Sequence, residues 1–135
     1  MTDAAASPRH LAERLLSAEA NHVSDPSRTA DAFERACAKL TAQLARVIGD
    51  LGARSVLLRA LSLTRARFPS LDNDPALEAG ECLEAPAVLR GQDPAIAAEA
   101  LTSLLANILN VLLDLLGPNL VYRLLSAAWP ELEFQ

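Results

Sequence analysis

Two arrays of polar side chains in this 135-residue chain are spaced to act together. Glu99, Ser103, Asn107, Asn110 and Asp114 step by 4, 4, 3 and 4. On an α-helix, at about 100° per residue, they fall within an arc of about 80°. Leucines, Ile108 and Val111 fill about 200° on the other side. Such a stripe has three uses. As a solvated strip it faces water. As a seam inside an interface it fixes register and orientation, because a mispaired Asn is buried without a hydrogen-bond partner. As a ligand or catalytic site it is short of chemistry: amides and one carboxylate bring neither a nucleophile nor a tuned base.

The second array is basic. Arg54, Ser55, Arg59, Ser62 and Arg65 share an arc of about 140°, and no acid lies between Leu51 and Leu71. Guanidinium groups so placed suit phosphates or acidic protein partners. They equally suit this chain's own acidic connection at 72–84, or that of a second copy. No aromatic side chain sits among these arginines to stack on bases. The glycine-marked break ARVIGDLGARS is compatible with the turn of a helix-turn-helix, which makes a DNA-binding regulator using Arg54, Arg59 and Arg65 one alternative. A small-molecule-sensing helical domain is another.

Other reactive residue types are sparse. His10 and His22 stand near the two ends of one predicted helix, with no second ligand at metal spacing. Cys37 and Cys82 are 45 residues apart, which is neither a metal spacing nor a disulfide framework. Cys37 reads as a small apolar core filler. No nucleophile motif is present, and Gly49–Gly52 lacks the lysine and strand context of a phosphate loop. The expectation is therefore no enzyme, no catalytic residue, no metal and no cofactor.

The elements that must position these arrays are helices. Ala and Leu each occur 26 times, and no stretch alternates apolar and polar residues long enough for a strand. The predicted fold is all-α: one bundle of four to five main helices plus one short helix. A single domain fits this length. The helix starts are legible. Ser7-Pro8, Asp25-Pro26, Asp74-Pro75 and Asp93-Pro94 each put a capping side chain before a proline. Gly117-Pro118 ends one helix and opens the next.

The spacing predicts helices over about 8–21, 26–48, 52–67, 94–116 and 118–128. In the second, Phe33, Cys37, Leu40, Leu44 and Val47 form a seam stepping by 4, 3, 4 and 3. Gly49 and Gly52 mark a break around Asp50. The third presents Leu57, Leu61, Thr64 and Phe68 inward and stops at Phe68-Pro69. Residues 69–92 form a long acidic connection holding a short helix near 75–84, and residues 1–7 form a flexible N-terminus. Arg123, the last base, is expected to pair with Asp114 or Glu131. Trp129, just before Pro130, is expected to lock the last helix onto the bundle while its indole N–H reaches a partner.

Charge and hydropathy bound the partners. The net charge of −5 argues against general nucleic-acid affinity. It is unevenly spread: residues 1–68 carry ten bases and seven acids, residues 69–135 two bases and ten acids. The halves are complementary, as packed halves should be. The run Leu104 to Leu116 is interrupted by Asn107, Asn110 and Asp114, short of the ~20 apolar residues of a bilayer span. MTDAAASPRH lacks the pattern of a signal peptide. A cytoplasmic protein is the expectation, and eleven arginines against one lysine read as the codon bias of a GC-rich bacterial genome.

The C-terminal stretch LLDLLGPNLVYRLLSAAWPE has a Leu-rich helix, Gly117, then Leu120, Arg123, Leu124, Leu125 and Trp129-Pro130. It resembles the tail of small all-helical bacterial proteins of unknown function. LLRALSLTRARFPSL is similar to their middle helix. The resemblance covers about half the chain and implies no reaction. The sequence thus points to a non-enzymatic protein–protein interaction, adaptor or regulatory module over residues 8–130. It is expected to self-associate as a homodimer or to meet another protein.

Overall fold

The computed structural model describes residues 7–20, 27–68 and 93–132. It contains four helices: α1 (Pro8–Ala20), α2 (Ser27–Arg65), α3 (Pro94–Leu116) and α4 (Pro118–Ala128). No strand occurs among the described residues. The expected short helix at 75–84, the acidic connection and residues 1–6 lie outside them.

The proline-marked starts are built as their chemistry requires. The Ser7 hydroxyl accepts from the His10 N–H at 3.5 Å, and Asp93 Oδ1 accepts from the Ala95 N–H at 2.9 Å. Pro8 and Pro94 follow as first helical residues, where a missing N–H costs nothing. At the other end of α3, the Gly117 N–H bonds to Leu113 O at 3.0 Å. The same glycine, at φ 86, is also the residue from which α4 starts. One left-handed residue therefore replaces a loop.

Two helices with a break around Asp50 were expected between residues 26 and 67. They are joined as one element, Ser27–Arg65, and the expected break is present in it as a kink at one non-helical residue, Gly49, at φ 81 and ψ 170. That conformation is essentially open to glycine alone, so one residue absorbs the whole bend. Gly52 has a different reason: a Cβ there would stand 2.9 Å from Ile48 Cγ1. We call the segments before and after Gly49 the early and late arms of α2.

The bend resets which side faces the core. On the early arm Phe33, Cys37, Leu40 and Leu44 are buried, as the seam predicts. Val47, its expected last member, is 46% exposed, and Leu51 is 77% exposed. Burial resumes on the late arm at Ala53, Val56, Leu57, Ala60, Leu61 and Thr64. A continuous helix would have kept one seam; Gly49 rotates the late arm to a new one.

α3 is the centre of the bundle and touches the other three helices. Ala100, Leu101, Leu104, Leu105, Ile108, Leu109 and Leu112 are buried along it. Fully burying one such leucine or isoleucine contributes roughly 1.5–3 kcal/mol, so this helix, with α2, supplies most of the apolar driving force. By length and composition, Ala95–Leu116 is also apolar enough to cross a membrane, with mean hydropathy 1.7. Its leucines outweigh the polar stripe in that average. In this fold Leu101, Leu104, Leu105, Leu109 and Leu112 belong to the core. α1 adds Leu11, Leu15 and Leu16, and α4 adds Val121, Leu124 and Leu125.

Candidate functional site

The polar stripe of α3 does not stay together as one surface. Its first member, Glu99, is tied to α1. Arg9 donates Nη1 and Nη2 to the two Glu99 oxygens at 2.6 and 2.7 Å, and Nε to Glu13 at 2.9 Å. The bidentate geometry holds Glu99 below the usual carboxylate range and raises the Arg9 guanidinium. Ser103 is buried, at 7% exposure. Asn107 donates Nδ2 to Thr64 Oγ1 at 2.8 Å, and the Thr64 hydroxyl donates to Ala60 O at 2.8 Å. Asn107 therefore joins α3 to the late arm of α2 within one chain. Only Asn110 and Asp114, at the C-terminal end, are exposed.

The arginine array also divides. Arg54 and Arg59 are exposed, and Arg65 is half-buried with interactions of its own. Arg54 and Arg59 make no ion pair among the described residues. Their pairing with residues 72–84 lies outside those residues.

The late arm runs antiparallel to α3, because Thr64 meets Asn107 while Arg59 lies near Asn110 and Asp114. That register gathers parts of both arrays. A surface groove of about 440 Å³ is lined by Arg59, Leu63, Asn110, Val111, Asp114 and Leu115. Leu63 is 39% exposed and Leu115 is 61% exposed. Arg59 and Asp114 share the groove, yet no ion pair joins them. The groove takes Arg59, Asn110 and Asp114 from the sequence-expected set. It leaves out Arg54, Arg65, Glu99, Ser103 and Asn107.

Three lining residues, Leu63, Val111 and Leu115, were not among the expected site residues. Leu63 could have been found: on the wheel it lies about 40° from Arg59 and at least about 100° from each of the inward residues Leu57, Leu61, Thr64 and Phe68. Leu115 carries no such signal, because on the α3 wheel it falls between Leu104 and Ile108, which are buried; it is exposed in the last turn of the helix.

Across the molecule, a second polar cluster closes the bundle. Glu19 of α1 accepts from Lys39 Nζ at 2.5 Å, from Arg35 Nε at 3.3 Å and from Trp129 Nε1 at 2.8 Å. Its side chain is 8% exposed, and Trp129 is fully buried. Burial pushes the Glu19 carboxyl up, but the bonds from Lys39, Trp129 and Arg35 outweigh it and hold the group below its ordinary value. Lys39 also lies 5.6 Å from the Trp129 ring centroid. The anchoring role expected of Trp129 is present, with its partner on α1. Arg123 differs from expectation: it is exposed and makes no ion pair with Asp114 or Glu131.

Cys37 is inert in place. The Cys37 thiol is buried and pushed up to about 11 by desolvation, with Thr41 Oγ1 4.0 Å away. A thiol so shielded is a poor nucleophile. His10 is exposed; His22 and Cys82 lie outside the described residues. No group of three potential metal ligands occurs among the described residues. Comparison with protein-family models, curated proteins and solved structures finds no match for this chain.

Proposed function

We propose that this protein is a non-enzymatic protein–protein interaction module, an adaptor or regulatory part working in the cytoplasm. It acts through the late arm of α2 and the C-terminal end of α3. The observation that carries the reading is the set of leucines left in solvent there. Leu51, Leu58 and Leu63 are 77%, 36% and 39% exposed, and Leu115 is 61% exposed. Leu63 and Leu115 meet in one groove beside Val111, whereas Leu51 and Leu58, two helical turns apart, share a different side of the late arm. Single exposed leucines are ordinary; leucines gathered in one groove mark a contact surface. The kinship to small all-helical bacterial proteins of unknown function belongs to the same proposal and adds no chemistry to it.

One observation favours a second reading. Arg54 and Arg59 are exposed without ion pairs among the described residues, as a DNA-binding face would need. Against it, Arg59 shares its groove with Asp114, which repels phosphate, and the chain carries −5 overall. Salt-sensitive binding of duplex DNA, lost in Arg54→Ala with Arg59→Ala, would favour this reading over the first.

The interaction reading is tested by Leu63→Lys combined with Leu115→Lys. The wild type should form a complex, with itself or with a captured protein. The double variant should lose that complex while keeping its helical circular dichroism. A mass of 14.4 kDa at every concentration, with capture unaffected by the substitutions, would overturn the reading.

A further inference from the structure

The chemistry of the groove constrains what fits it. Its apolar part is Leu63, Val111 and Leu115. Its charged part is one guanidinium, Arg59, and one carboxylate, Asp114, and neither makes an ion pair among the described residues. A partner of one charge sign would satisfy one of these groups and repel the other. A surface with the same two charges on the same apolar ground satisfies both when turned by a half rotation. The groove therefore fits a second copy of itself.

One turn before Arg59, Ser55 donates its hydroxyl to Leu51 O at 3.0 Å, which removes a polar donor from that side of the helix. The copies repel at long range, each carrying −5, so short-range pairing and apolar contact must hold them together.

We propose that this groove is the isologous interface of a homodimer, in which Arg59 of each copy pairs with the partner's Asp114 across the two-fold axis. The inference rests on the interaction-module reading and adds the identity of the partner and the pairing that orients it.

Charge reversal tests it on the full chain by sedimentation velocity over a wide concentration range. Arg59→Glu gives each copy two acids in the groove, and Asp114→Arg gives each copy two bases. Either variant alone should weaken self-association about tenfold or more. The double variant should recover most of the wild-type affinity. An equimolar mixture of the two single variants should form a mixed dimer, because both cross-axis pairs then have opposite signs.

Self-association insensitive to both reversals, but abolished by Leu63→Lys with Leu115→Lys, would overturn the pairing and leave the interaction reading standing. A wild type that stays a single chain, yet captures a different protein through the same leucines, would overturn the homodimer alone. A single chain with no leucine-dependent partner would overturn both. Unchanged circular dichroism in each variant shows that the effect is on association and not on folding.

Discussion

The two arms of α2 carry similar material and use it differently. Each has basic side chains above an apolar seam. On the early arm, Arg35 and Lys39 reach Glu19 and, through it, the indole of Trp129. On the late arm, Arg54 and Arg59 reach no acid among the described residues. The early seam buries Phe33, Cys37, Leu40 and Leu44 and exposes only Val47, at its end, whereas the late arm leaves Leu51, Leu58 and Leu63 outside. Early-arm charge closes this bundle. Late-arm charge and hydrophobicity are left for something else. The rotation at Gly49 separates the two roles within one helix.

The comparison breaks first at Trp129. Trp129→Ala should cost about 3–5 kcal/mol in urea unfolding, by creating a cavity and removing a donor from Glu19. A loss under about 1 kcal/mol would mean that the early-arm cluster does not close the fold.

Gly49→Ala comes next, at about 1–3 kcal/mol, because a Cβ is strained at φ 81 and ψ 170. No loss would show that the bend relaxes, and the two arms would no longer be held in different rotations.

Glu19→Gln should cost about 1–2 kcal/mol. It should also change the pH profile. The folded Glu19 carboxyl lies below its ordinary 4.5, so its contribution is present above that value and is lost as pH falls through the lower folded value. The wild type should lose stability on acidification more steeply than the variant. Parallel profiles would remove Glu19 as a cause.

The smallest effect sharpens the contrast from the other side. Arg59→Ala should change stability by less than about 0.5 kcal/mol. A larger loss would put the late arm's charge to structural use as well.

Much of the fold can be read from punctuation. α3 and α4 begin and end where Asp93-Pro94, Gly117-Pro118 and Trp129-Pro130 say they should, because caps and prolines act locally. The bend in α2 is harder. Gly49 and Gly52 look alike in sequence, but one carries the left-handed backbone and the other only makes room for Ile48. The groove is harder still. Arg59 and Asp114 are 55 positions apart and belong to two arrays that each look self-contained. Only the antiparallel register, set by contacts such as Thr64 to Asn107, brings them together. Periodicity shows which residues share a side of a helix; it does not show which side of another helix they meet.

The bond from Trp129 to Glu19 spans 110 positions of chain. At roughly 5–20 residues per second on the ribosome, Glu19 is made about 5–20 s before its indole partner. During that interval α1 and the early arm exist without the helix that caps them, their leucines open to solvent. The cluster can close only when the last helix arrives, so the bundle is completed only once Trp129 has been made.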